Sequence, residues 1–513
     1  MSRVELWGRP GSALTVRVAA GLAAAGREVA TVQQPTGSAP WIDLALERSP
    51  DGLRPPPTTA VGPIAAAAGV VVSSTLALHP HERHIGLAPE GWGHPPAGSL
   101  AAAWRGFEGR SGGAGRSILR AAPTPLAGGR DAFSRWLDRR VVPSVFGFDP
   151  CLQLLHPDDL VSALTWALRQ GLPGVTHVVP RRPVFVRQAV RAAGRRRIAL
   201  PVAWLRRGSL GDAASYLRHP FTARGDRARD AGWTARYTSR ETAAAMTGRT
   251  VTVADDDEHG LDPAYASRFG RTLFAFLHDV YWRIEYRGLE HLPAEGGAVL
   301  VGVHRGFMPW DGVMMLLACH RATGRWVRFL IHPGLLKPPV LTPYMNKLGG
   351  VVACRENADW MLERGRIVGV FPEGIQGAFR LYRDWHRVDR FGRFGRDEFV
   401  RMALRHRVPI VPFATVGSAE IFPIWGRIEW PWWRRVAEWP FVPVTTPFPL
   451  PSRWHTEILP PLDVAAEHGP DAADDEALVR AISERVRARL QASIDEMRAA
   501  RTSIFRGRIF EAS

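Results

Sequence analysis

Four strand candidates, at 297–303, 325–331, 367–371 and 408–416, alternate with helix-length stretches through the second half of the chain. Each has the length of a buried strand, and strands that alternate with helices in sequence build an α/β domain. The last stretch, 474–500, carries Leu478, Ile482, Val486, Leu490, Ile494 and Met497 on one helical face and is expected to close that domain. The first half opens differently. A strand at 4–7, a turn with Gly8 and Gly11, an Ala-rich helix to Gly26 and a strand at 28–32 outline a mononucleotide-binding unit. An apolar run at 65–72 suits a buried parallel strand. At 150–180 follow a strand, an Asp-capped helix with Leu160, Ala163, Leu164 and Ala167 on its apolar face, and another strand. Two α/β domains are therefore expected, 1–200 with a Rossmann-like parallel sheet and 261–513. The Arg-rich stretch 201–260, with its acidic run 255–258 and no sustained apolar period, reads as a linker.

A chain of 513 residues is long enough for two cores, and 46% hydrophobic with 22% charged residues is the composition of a folding protein. The net charge is +17, almost wholly from Arg, since Lys occurs only at Lys337 and Lys347. Such a balance favours an anionic partner. No zinc pattern, RNA-recognition motif or basic heptad array accompanies it, which points away from nucleic acid and towards an anionic membrane surface. Cys151, Cys319 and Cys354 are odd in number and scattered, as suits a reducing compartment. The chain opens without a basic segment followed by an apolar run, and no stretch reaches the roughly 18 apolar residues of a spanning helix. The expectation is a cytoplasmic protein, peripheral at the inner face of the membrane. The segment with Trp425, Trp430, Trp432, Trp433 and Trp439 among Arg427, Arg434 and Arg435 is the candidate docking surface.

Chemistry concentrates in three places. In 298–312, AVLVGVHRGFMPWDG, an apolar strand runs directly into His304, with Asp311 seven positions later. A carboxylate within reach of an imidazole fixes its tautomer and stabilises the imidazolium formed when it takes a proton. In Val370-Phe371-Pro372-Glu373-Gly374 a second strand ends in a carboxylate and a turn glycine. In 410–417, IVPFATVG, Pro412 cannot donate a ladder hydrogen bond and marks an edge or a bulge. Each alone is as readily a structural pairing, a helix cap or a core strand.

Together and in this order, the three segments resemble the phospholipid/glycerol acyltransferase superfamily of the lysophosphatidic acid acyltransferase type, over about 261–510. The resemblance implies that His304 and Asp311 are catalytic and that Glu373, Gly374 and Pro412 belong to the substrate site. In the intermediate block, GGVVACREN, Arg355 takes the place of an Arg that meets the acceptor's phosphate. The commonest family form has four residues between His and Asp, whereas this chain has six, Arg305 to Trp310, like a bacterial subgroup with a Pro-containing turn and an Arg-rich stretch such as 380–396 here. The implied reaction takes a fatty acyl group from CoA or an acyl carrier protein to a hydroxyl of a lysophospholipid, glycerol phosphate or related lipid. It needs no metal and no redox cofactor.

Residues 1–200, with LLHPDDLVSAL at 154–164, resemble the extended short-chain dehydrogenase/epimerase family. Leu14 stands where its third signature glycine belongs, so Gly8 and Gly11 read as vestigial. That family's chemistry needs a Tyr with a Lys four residues on, and this half has no Tyr before Tyr216 and no Lys. A degenerate Rossmann scaffold is expected. The alternatives are a non-catalytic lipid-binding scaffold and an NAD(P)-dependent oxidoreductase or epimerase.

Overall fold

A computed structural model describes residues 3–510 apart from 37–38, 49–52, 57–68, 81–86, 112–115, 181, 208–210, 252–258, 305, 333–340, 375–380, 382–393, 395–396 and 430–440. The chain divides into two compact units, Met1–Gly260 and Leu261–Ser513.

The sheet of the first unit has six strands, all parallel, in the order Glu28–Val32, Arg3–Trp7, Trp41–Leu44, Gly69–Ser74, Ser117–Ala121 and Gly174–Val178. The helix Pro157–Gln170 buries Leu160, Ala163, Leu164 and Ala167 as expected. Its cap is His156, not an Asp: the His156 side chain accepts from the Asp158 amide, while Asp159 accepts from the amides of Arg236 and Tyr237 at 2.9 Å each. That second job of Asp159 corrects the linker assignment as well, because the described residues of 201–260 belong to the first compact unit. The Gln153 amide pairs with both the N–H and the C=O of Ala223, and the Tyr216 hydroxyl donates to Leu76 O at 2.7 Å. Leu217, Phe221 and Trp233 are buried without a helical or strand period, so a pattern search passes over them.

The strand Ser117–Ala121 carries a charge into the interior. Arg120, 1% exposed, forks onto both oxygens of Glu108 at 2.8 and 2.6 Å, and its third nitrogen meets Glu90 O at 3.0 Å and His177 Nε2 at 2.9 Å. Ser73 donates to the same carboxylate at 2.7 Å. Burial, and then Arg120, hold His177 well below the usual imidazole range. Neutral His177 donates from Nδ1 to Arg224 O, which leaves Nε2 to accept from Arg120.

The second unit has a seven-stranded sheet, ordered Glu285–Arg287, His455–Ile458, Ile410–Val416, Ala298–Gly302, Ile367–Val370, Val327–Ile331 and Val351–Val352. The last five run parallel and the first two run against them. In the closing helix Glu476–Ala500, Val479, Ile482, Val486, Leu490, Ile494 and Met497 are buried; Val479 takes the place expected for Leu478, whose amide is drawn to the Asp475 cap. Pro412 lies in an internal strand, not at an edge. Ile410 pairs with Leu462 and Phe413 with Ile458, so the register slips by one residue and the partner strand bulges opposite the missing N–H.

Two bare strand positions shape the centre of this sheet. A Cβ on Gly302 would lie 2.1 Å from the Phe413 ring, and one on Gly369 would lie 2.5 Å from Phe329. The glycines therefore let both rings lie across the neighbouring strand. Phe371 stacks on Phe329 with centroids 5.4 Å apart and meets Phe413 edge-on at 5.9 Å, forming an aromatic floor at the strand ends.

At the opposite side of the sheet, His455 is fully buried with Nδ1 3.1 Å from Glu285. Burial lowers its pKa from 6.5 to about 4, against the pull of Glu285 and with Arg501 and Arg453 helping to lower it. The unfolded chain therefore binds a proton as pH falls through 6.5, and the folded chain does not until about 4. The second unit is expected to lose stability across that window, and His455→Gln is expected to flatten the loss, as followed by thermal unfolding against pH.

Candidate active site

The parallel strands bring four sequence positions to one edge. Ala298–Gly302 ends at His304, Val327–Ile331 at His332, Val351–Val352 at Cys354 and Arg355, and Ile367–Val370 at the turn holding Glu373. Parallel α/β sheets form their clefts at this edge because every strand delivers its C-terminal side chain there.

His304 is 9% exposed and Asp311 3%. The imidazole Nδ1 lies 3.0 and 2.9 Å from the two oxygens of Asp311, which opens the helix Trp310–Thr323. Asp311 Oδ1 also accepts the Gly312 amide at 2.9 Å, which fixes the carboxylate's orientation. The long connection between the two residues closes through local strain and a close approach: Met308 adopts φ 73°, and a Cβ on Gly306 would stand 2.6 Å from Ser418 O. The His304 ring packs 5.3 Å from that of Phe371. With Nδ1–H given to the carboxylate, Nε2 is the nitrogen left to accept a proton.

His304 lines an apolar cavity of about 940 Å³ walled by Met308, Val313, Leu316, Phe329, Ile331 and Leu348. A second cavity of about 1420 Å³ is more polar, with His332, Cys354, Arg355, Glu373 and Glu398 on its walls. The two share Leu330, His332, Phe371 and Gly374. Of the expected site residues, His304 and Asp311 meet, while Glu373, Gly374 and Arg355 meet around the second cavity. Gly374 sits at φ 62° with its amide on Phe371 O, a conformation that favours glycine. Arg355 shares its guanidinium with Asp359 at 3.4 Å on the first turn of its helix. Pro412 is buried within the sheet and lines neither cavity. The Arg-rich residues Arg380, Arg383, Arg387, Arg390, Arg393 and Arg396 lie outside the described residues, as do Trp430, Trp432, Trp433 and Trp439. His332 follows a strand just as His304 does, but no motif marks it in the sequence. Among the described residues no cluster of three His, Cys, Asp or Glu has the makings of a metal site.

A family model described as Acyltransferase matches residues 283–416. An uncharacterised protein of Mycobacterium tuberculosis is 33% identical over 262 residues, covering 49% of this chain and 72% of that protein. The chain belongs to the acyltransferase family. A further relative of this acyltransferase, from Mycobacterium leprae, is 34% identical over 49% of this chain and 70% of its own length. Phytyl ester synthase 2 of Arabidopsis thaliana is 32% identical over 145 residues, 27% of this chain and 20% of that protein. Among solved structures, the 1-acyl-sn-glycerophosphate acyltransferase PlsC of Thermotoga maritima is similar at 20% identity and TM-score 0.32, over 47% of this acyltransferase and 81% of that chain. The human epimerase family protein SDR39U1, solved with NADPH, is similar at 18% identity and TM-score 0.36, over 48% and 98%.

Proposed function

We propose that this acyltransferase moves a fatty acyl group from a CoA or carrier-protein thioester to a hydroxyl of a lysophospholipid, glycerol phosphate or related lipid. The observation that carries the reading is the carboxylate-held His304 on the wall of an apolar cavity that meets a polar one at Phe371. His304 Nε2 takes the acceptor hydroxyl's proton as the oxygen attacks the thioester carbonyl. The C–S bond then breaks and the thiolate leaves with that proton, while Asp311 stabilises the transient imidazolium. The apolar cavity takes the acyl chain. Glu373, the Gly374 turn and Arg355 bind the acceptor in the second cavity. No group beyond the two substrates is called on, so no cofactor takes part in this scheme. The test is thiol release from a long-chain acyl-CoA and from an acylated carrier protein across a panel of lysolipid, glycerol phosphate and neutral alcohol acceptors. Release that depends on an acceptor supports the reading and names the acceptor class; release with none of them overturns it.

The same proposal includes docking on an anionic bilayer. No helix among the described residues is long and apolar enough to cross a membrane. Before the first strand of the second unit, Leu273, Phe276 and Val280 are 45%, 51% and 62% exposed at spacings of three and four, with Arg268 and Arg271 exposed beside them. Trp425 and Ile428, 58% and 53% exposed, are a second apolar pair at the start of the expected docking segment. A stripe of this kind suits insertion at headgroup depth, with Arg on the anionic lipids. Phe276→Asp and Val280→Asp are each expected to weaken binding to anionic vesicles by about tenfold or more in co-sedimentation. Unchanged binding in both would remove the stripe from the docking surface.

A further inference from the structure

Open parallel sheets take dinucleotides where the strand order reverses, with the pyrophosphate on a helix N-terminus. In the first unit the order reverses at Arg3–Trp7, which has Glu28–Val32 on one side and Trp41–Leu44 on the other. The short helix Ala45–Arg48 follows the second of these neighbours directly, and its Glu47 and Arg48 reach back to the cap of the first helix and to the first strand. Trp7, the last residue of its strand, is the register partner of Asp43. Asp43, 1% exposed, grips the Arg48 guanidinium at 2.8 and 2.6 Å, and Arg48 lies over the Trp7 ring at 3.4 Å. Glu47, the preceding residue, is 7% exposed and hydrogen-bonds Ser12. Ser12 is the cap of the helix Ala13–Ala24 and accepts from the Thr15 amide.

Two attractions a pyrophosphate would find here are thus already engaged. The cap of that helix is already hydrogen-bonded by the chain's own Glu47 carboxyl, whose pKa burial raises, so the place of the anion is taken. The Arg48 guanidinium is neutralised by Asp43 and stacked, and separating a buried ion pair or a cation from an aromatic face is costly, while Arg9 and Arg130 have Glu47 as a nearby counter-charge. The third glycine of the nucleotide fingerprint is absent, and Leu14 in its place is buried. Beyond Glu28–Val32, Glu5 accepts the Thr36 amide at 2.7 Å and so draws the segment after that strand back onto the first strand.

We infer that the helix Ala45–Arg48 occupies the dinucleotide crevice of the first unit, and that this unit works without NAD(H) or NADP(H). The dehydrogenase-like fold is retained with its ligand place filled from within, by a carboxylate at the phosphate position and a stacked guanidinium.

The test titrates the full chain with NAD+, NADH, NADP+ and NADPH, following nicotinamide fluorescence for the reduced forms and calorimetry for the oxidised ones. A Glu47→Ser, Arg48→Ser double variant is melted alongside the unaltered chain. The expected results are no saturable signal with any of the four and a lowered unfolding midpoint in the double variant, because a buried stack and ion pair are lost. Saturable binding of any one nucleotide by the unaltered chain overturns the inference. So does an unchanged midpoint, since a helix that fills the crevice contributes to the packing around it.

Discussion

His304→Ala is expected to lower acyl transfer by about 10²–10⁴-fold, the range for removal of a positioned general base. The loss should appear in kcat, because the apolar cavity that takes the acyl chain is walled mainly by other residues. Asp311→Asn is the sharper probe, with an expected loss on the order of 10³-fold. The two Asp311 oxygens lie 3.0 and 2.9 Å from His304 Nδ1, and one of them also accepts the Gly312 amide. In the amide variant the single oxygen stays on the Gly312 N–H, and the NH2 group faces Nδ1. The imidazole then carries its proton on Nε2, the nitrogen that has to accept the substrate's. Thermal unfolding within a few degrees of the parent would show that both variants fold. A pH–rate profile for Asp311→Asn that keeps the parent's rate at any pH contradicts the assignment.

The largest loss of stability is expected from Glu108→Gln in the first unit. The Arg120 guanidinium is 1% exposed, so removal of its counter-charge strands a buried cation, at a cost of about 3–5 kcal/mol. His177 gives no relief, because it already accepts from Arg120 and is held neutral. Denaturant unfolding of the full chain should therefore resolve an earlier transition for the first unit. Replacing both partners, as Glu108→Leu with Arg120→Leu, should cost less than either change alone, since no unpaired charge is left behind. If the double replacement proves additive, the network contributes through packing and not through its charges.

These two sites mark how far the sequence reveals the molecule. The strands at 298–302, 367–370 and 410–416 stand out because each is an almost wholly apolar run, the signature of a strand covered on both faces, and 327–331 does so despite the buried Arg328 because Val327, Phe329, Leu330 and Ile331 surround it. The strands Trp41–Leu44 and Ser117–Ala121 do not stand out, because Asp43 and Arg120 put charges where the pattern calls for apolar residues, and their partners Arg48 and Glu108 are seen only in three dimensions. For the same reason 201–260 reads as a linker: it is fastened by single side chains such as Gln153 and Asp159, which leave no period. At the candidate site, His304, Asp311 and Glu373 announce themselves as polar residues at the ends of apolar runs. His332 obeys the same rule but has no motif around it to single it out. The aromatic floor of Phe329, Phe371 and Phe413 depends on Gly302 and Gly369 on neighbouring strands, a relation that only the sheet order supplies.

The most direct test of acyl transfer through His304 is to supply a deuterated long-chain acyl thioester with the acceptor that best promotes thiol release, and to weigh the lipid products by mass spectrometry. An ester carrying the intact labelled chain is expected, formed by the unaltered protein and lost in His304→Ala. Labelled ester formed equally by both proteins would contradict acyl transfer through His304.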